Sequence, residues 1–306
     1  MSNNNFKNKQ DFLNAVENKI LICDGAMGTS LQNLGFTENP DSLNLNEEDI
    51  KNVINVHLSF LRAGSDIIQT NTFGSNPAKL KSYGLISDIE KINTNAVAAA
   101  REAINTFRKE SSDSKDLFIA GDIGPLGKLV EPSGEIKYSE AIDLFSQQID
   151  VLIKNNVDFI LIETIMDLHE ALAAVEAVKK IDDDIPIACT LAFNKNGVTL
   201  MGDKAEDIGE PLLEAGANLI GANCGVGSDS MVIIAEKIRR ANPDAKIFFQ
   251  PNAGLPVLID GKTTYNETPE FMSANIKKIL QFNPSVVGAC CGSKPVHISK
   301  IAELVL

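Results

Sequence analysis

Apolar and polar positions alternate along this chain on two length scales. Short, nearly continuous apolar runs occupy 20–23, 66–70, 117–121, 159–163, 186–191, 219–223, 247–250 and 286–289. Most lack the strict in-out alternation of a half-exposed strand, so they predict strands covered on both faces. Between and after them lie longer segments with apolar residues every three or four positions: 47–63, 92–109, 139–155, 168–180, 205–215, 229–240, 269–281 and 295–305. In the second of these Val97, Ile104 and Phe107 fall on one stripe, while Arg101, Glu102 and Arg108 can face water. Pro269 and Pro295 suit the first turn of a helix.

Eight strands, each followed by a helix, predict an α/β fold of the (β/α)8 TIM-barrel type, for which about 250 residues is typical. A doubly wound sheet shows the same alternation but usually has fewer strands. No low-complexity linker divides the sequence, so a single domain over 1–306, with its core from about 19, is expected. The longest irregular stretches, 74–87 and 254–265, both follow predicted strands. Barrel enzymes carry their chemistry in such loops, at the C-terminal face.

Composition narrows the partners. The 306 residues are 44% hydrophobic, enough for a large core, and only 6% aromatic. The net charge of -13 argues against nucleic acid, which needs a basic surface. No uncharged apolar run approaches the roughly 20 residues of a membrane span. The start has no signal-peptide pattern and the five cysteines are an odd number, which together predict a reducing cytoplasm.

Three cysteines have a pattern. Cys224 lies in "LIGANCG", and Cys290 and Cys291 lie together in "VVGACCG". Each motif ends an apolar run and meets a glycine. In a barrel these thiols follow strands six and eight and open onto one rim. Three thiols with one open position suit a catalytic Zn²⁺. A tris-thiolate zinc carries a formal charge of -1 and is a modest Lewis acid. It is well suited to capturing a fourth thiol as thiolate, which favours alkyl transfer to a substrate sulfur. The competing reading is buried core cysteine, since cysteine is among the most buried residues. That reading is kept for Cys23 and Cys189, which have no patterned partner.

Other candidates share the rim. Asp24 and Gly25 open "DGAMGT" after strand one, where a small amino acid could meet backbone N–H groups; a tight βα turn is the plainer account. Thr70, Asn71, Thr72 and Phe73 follow strand two. Glu163 ends an apolar run, an expensive place for an unpaired carboxylate, and a ligand ammonium would satisfy it. Asp167 is expected to cap the next helix and His169 to lie at the surface. His57 and His297 read as structural or exposed, and Asn252 and Gly254 as shaping the pocket.

Taken together, "DGAMGT", "TNTFGSN", "IGPLGKLVEPSG", "LIETIMDLHEA", "GANCG", "QPNAGLP" and "GACCG" resemble the homocysteine S-methyltransferase family. Within it the similarity is to the N-terminal homocysteine-binding barrel of cobalamin-dependent methionine synthase, from about residue 19 to the C-terminus. The resemblance implies a (β/α)8 barrel with one zinc on Cys224, Cys290 and Cys291. It implies homocysteine contacts from Glu163, from Asp24 and Gly25, and from Thr70, Asn71, Thr72 and Phe73. Ala289 and Ser293 depart from the family's usual glycine and threonine without removing a ligand. The folate- and cobalamin-binding domains of the full-length enzyme are not in this sequence, which fits either an excised domain or a stand-alone subunit. The first expectation is therefore methionine formation from a zinc-bound homocysteine thiolate. Its methyl group would come from methylcobalamin on a corrinoid partner protein or on missing domains. The alternatives are a betaine or S-methylmethionine donor, and a zinc-stabilised docking subunit without turnover.

Overall fold

The computed structural model describes residues 9–37, 39–111, 115–259 and 262–305. The apolar runs become β1 (Leu21–Ile22), β2 (Ile67–Gln69), β3 (Phe118–Ile123), β4 (Phe159–Ile165), β5 (Ile187–Leu191), β6 (Leu219–Gly227), β7 (Lys246–Asn252) and, after a separate antiparallel hairpin of β8 (Val257–Ile259) and β9 (Lys262–Thr264), β10 (Val286–Val287). The eight barrel strands are parallel, in the order β1-β10-β7-β6-β5-β4-β3-β2. The two ends of that order meet. Asp66 N donates to Ile22 O at 2.7 Å and Asp24 N to Ile67 O at 3.0 Å, closing the (β/α)8 barrel as expected.

Period two splits each strand between two apolar layers. Leu21, Phe118, Phe159, Ala188, Leu219, Phe248 and Val286 form an inner cluster, while Ile22, Ile119, Ile160, Ile187, Ile220, Ile247 and Val287 pack outward against the helices. Both layers are buried, which is why the runs look continuous in sequence. Cys23 belongs to the inner cluster and Cys189 to the outer one, both fully buried, as the core reading expects.

The helices are α1 (Lys9–Asn18), α2 (Met27–Asn33), α3 (Ile50–Arg62), α4 (Pro77–Ser82), α5 (Ile89–Glu110), α6 (Tyr138–Lys154), α7 (Leu168–Ile181), α8 (Gly209–Glu214), α9 (Ser228–Ala241), α10 (Pro269–Ile279) and α11 (Pro295–Val305). Helices α1, α2 and α4, a shortened α8 and the β8–β9 hairpin were not foreseen. Helix α1 plugs the N-terminal end of the barrel. Its Phe12 stacks on Phe159 at 3.9 Å and meets Phe118 edge-on at 5.5 Å, and Val16 is buried beside it. Burial of one such phenylalanine contributes about 1.5–3 kcal/mol. The segment expected as a helix over 205–215 shortens to α8. The residues before it form a polar turn, in which the Thr199 hydroxyl donates to Asp203 Oδ2 at 2.9 Å. The irregular stretch 254–265 contains the hairpin.

With α1 filling one end, a ligand can enter only from the opposite, C-terminal rim. Among the described residues, no helix is long and apolar enough to cross a membrane.

Candidate metal centre and substrate cavity

Cys224 sits in a bulge. The β6–β7 register shifts between Asn223 and Gly227, and Cys224 adopts a left-handed φ of 55°. A non-glycine residue there costs on the order of 1–3 kcal/mol, so its surroundings must hold it. Asn223 does much of this. Its side-chain carbonyl accepts from Thr164 N and from the Thr190 hydroxyl, both at 2.8 Å. Its amide donates to Thr164 Oγ1 and to Glu163 Oε2, both at 2.7 Å. Thr164 lies in a second bulge, in β4, with φ 59°. One buried asparagine thus ties two strained turns and fixes Glu163 beside Cys224.

The Cys290–Cys291 pair leaves β10 on backbone bonds to β7. Cys290 N donates to Pro251 O at 2.8 Å, and Cys291 O accepts from Ala253 N at 2.9 Å. Gly292 turns the chain at φ 79°, where a Cβ would lie 2.1 Å from Tyr265 Cγ. The Ser293 hydroxyl accepts from Ala26 N at 3.0 Å and Thr29 Oγ1 from Gly292 N at 3.2 Å, so the first βα loop is stitched to the cysteine loop. The Ser293 departure keeps a working hydroxyl.

The three sulfurs converge. Cys224 and Cys291 Sγ are 3.9 Å apart, Cys290 and Cys291 Sγ 4.0 Å, and all three lie within 4.8 Å of one another. Tetrahedral zinc with Zn–S bonds of about 2.3 Å has S···S edges of about 3.8 Å. The donor set and its spacing therefore fit a zinc ion after small side-chain shifts. Hydrogen bonds from the Cys290 and Cys291 thiols hold Cys224 far below the usual thiol range, and the same contacts raise its two neighbours. The cluster already favours negative charge at Cys224.

The thiols border a cavity of about 550 Å³ at the C-terminal rim. Glu163 is 7% exposed and lines it. Burial and then the charge at Cys224 push its carboxyl up to about 7. Gly25, Thr70, Asn71, Thr72 and Phe73 line it too. Gly25 must be a glycine, since a Cβ would come within 2.6 Å of the Phe60 ring and Ser293 Oγ. Asn71 Nδ2 donates to Pro40 O. Thr72 Oγ1 donates to Asp122 O, which leaves Thr70 as the donor in the 2.7 Å bond between the two hydroxyls. Those hydroxyls therefore brace β2 against β3. Asp24 is not on the wall; it is buried beneath it and accepts from Gln69 N at 3.0 Å. Asn252 and Gly254 do not line this cavity either.

Sequence reasoning missed three charged wall residues, Asp41, Asp122 and Lys79. Asp122 near the end of β3 is 4% exposed and its Oδ1 has no hydrogen-bond partner. It ends an apolar run as Glu163 does, so the same rule could have found it. Lys79 on α4 places its ammonium 4.4 Å from the centre of the Phe73 ring. Only the tertiary fold brings it to the site. The other residues read as structural are so. Asp167 caps α7 through His169 N, and His297 bonds the backbone at Lys294 and Glu267. His57 is fully buried. The cysteine trio is the one metal-ligating cluster among the described residues.

The chain is 30% identical to methionine synthase of Mycobacterium tuberculosis and 28% identical to that of Mycobacterium leprae, over 96% of its own length. It spans about a quarter of the length of these curated relatives, 25% of each. In structure it resembles the homocysteine methyltransferase MmuM from Escherichia coli. The TM-score is 0.81 against the oxidised form and 0.80 against the metallated form. Both matches have 18% identity and cover 97% of this chain and 99% of that one, a likeness of fold.

These matches correct the expected branch. This barrel superposes almost end to end on a chain described as a homocysteine methyltransferase. The methionine synthase names specify no donor. The likeness to the cobalamin-dependent enzyme's domain, the methylcorrinoid donor, methylcobalamin as cofactor and the corrinoid partner are therefore withdrawn. What stands is broader: residues 21–305 match the model described as Homocysteine S-methyltransferase, and the chain belongs to that family of enzymes.

Proposed function

We propose that this chain transfers a methyl group to homocysteine from a small onium donor, betaine or S-methylmethionine. The observation that carries the reading is the convergence of Cys224, Cys290 and Cys291 beside Glu163 in one cavity. The three cysteines would hold Zn²⁺, which when bound supplies the Lewis acidity that lowers the pKa of an incoming thiol. The chain's own residues do the rest. Glu163 takes the homocysteine ammonium, and the glycine at 25 leaves the first βα loop close to the bound amino acid. The homocysteine thiol releases its proton to solvent, and its sulfur attacks the donor methyl carbon in line. A carbon–sulfur bond forms, the bond to the donor heteroatom breaks, and its electron pair stays with the departing donor. Nothing is oxidised or reduced.

Charge favours an onium donor. Burial raises the Asp122 and Glu163 carboxyls on the wall, so a cation beside them would favour their ionised forms, and three thiolates on a bound Zn²⁺ would add a formal charge of -1. The five unpaired thiols support a reducing, cytoplasmic setting. The reading is tested by methyl transfer to homocysteine with betaine, S-methylmethionine and methylcobalamin side by side, on zinc-loaded protein. Methionine is expected from at least one of the first two. Turnover with methylcobalamin alone would overturn the proposal.

A further inference from the structure

Two opposite charges on the cavity wall are unused by the chemistry at the thiols. Asp122 is buried, lines the cavity and has an unpartnered Oδ1. Lys79, half-buried, lines the same cavity and rests its ammonium over Phe73. The nearby acids are already engaged. Asp41 accepts from Gly74 N at 2.6 Å and from the Ser75 hydroxyl at 3.0 Å, and Glu170 accepts from Leu126 N at 2.7 Å. No ion pair within 4 Å joins Lys79 to Asp122 among the described residues. A buried carboxylate oxygen without a donor is costly, and a fold tolerates it where a ligand completes it.

Lys79 lies off the strand ends that carry the thiols, Glu163 and Asp122: it belongs to α4, in the loop beyond β2. From this we infer that Lys79 and Asp122 form a second amino-acid clamp, in which Lys79 takes the carboxylate and Asp122 the α-ammonium of a sulfonium amino-acid donor. The clamp rests on the proposed reaction and selects within it. An α-ammonium has N–H groups for Asp122 Oδ1; the quaternary nitrogen of betaine has none. S-methylmethionine carries the carboxylate, the ammonium and the transferable methyl in one molecule. Its reaction is balanced: one methyl–sulfur bond breaks, one forms, and two thioethers result.

Calorimetry on zinc-loaded protein tests the clamp without turnover, because the donor is titrated in the absence of homocysteine. Asp122→Asn keeps the side-chain shape and Lys79→Met keeps most of the stem. Each is expected to weaken S-methylmethionine about 10- to 100-fold, the scale of one charge-assisted hydrogen bond. Homocysteine, titrated separately, should change less than about threefold. The des-amino analogue of S-methylmethionine should bind the wild type weakly, lose nothing further in Asp122→Asn, and still lose affinity in Lys79→Met. Equal losses for homocysteine and S-methylmethionine would overturn the inference by assigning the pair to the acceptor. Equal S-methylmethionine binding by all three proteins, or none by the wild type, would also overturn it. Methyl transfer from betaine in the wild type would leave the proposed reaction standing even then, so the two failures are distinguishable.

Discussion

Changing Cys224, Cys290 or Cys291 singly to alanine is expected to strip zinc from the protein and abolish methyl transfer while the barrel stays folded. The sulfurs sit within 4.8 Å of one another, so each would supply a third of the metal's protein ligands, and no other cluster of His, Cys, Asp or Glu that could hold a metal ion exists among the described residues. The fold does not depend on them. The three thiols are only partly buried, and the two large apolar clusters form without them. A partly buried Cys→Ala change costs about 1 kcal/mol, small against a native stability of about 5–15 kcal/mol. Cys224→Ala also relieves no strain, since alanine at φ 55° is no more comfortable than cysteine. Metal analysis and thermal melting on the same samples check both halves. Zinc at wild-type occupancy in all three variants would remove the basis of the assignment. Collapse of the melting transition would show a structural rather than a catalytic role.

Glu163→Gln is expected to weaken homocysteine about 10- to 100-fold at unchanged zinc content, because it removes one charge-assisted hydrogen bond to the ammonium, about 1.5–3 kcal/mol. Glutamine can still accept the 2.7 Å bond from Asn223 Nδ2, so the brace on Cys224 survives. A thiol lacking the amino group should bind poorly to the wild type and be nearly indifferent to the change. Calorimetry with both thiols on both proteins reads this out. Equal losses for the two thiols would mean that Glu163 acts only through the Asn223 network.

The barrel was legible because burial on both strand faces writes itself as continuous apolar runs, and each run here found its strand. The cysteine rim was legible because both motifs end such runs. Helix α1 was not, since only Phe12 and Val16 of its ten residues reach the barrel interior and the rest are polar or half-exposed. The β8–β9 hairpin is two three-residue strands, too short for a periodic signal. Within the site, Glu163 was found as a carboxylate in an apolar run, and Asp122 was missed although "FIAGDIGP" has the same character. Asp24 was found by that logic too, yet it lies beneath the wall and orders Gln69. A strand-end carboxylate can face the cavity or brace the barrel, and strand register alone decides which. Lys79 carried no local sign, because a loop and a short helix bring it over Phe73.

In the proposed reaction, three thiolates of this chain leave a metal position to which the homocysteine sulfur binds directly. X-ray absorption at the zinc edge, on the zinc-loaded protein before and after saturation with homocysteine, measures that position. A shell of three sulfurs and one nitrogen or oxygen is expected to become four sulfurs, with release of about one proton per site near neutral pH. A zinc shell unchanged by saturating homocysteine would contradict it.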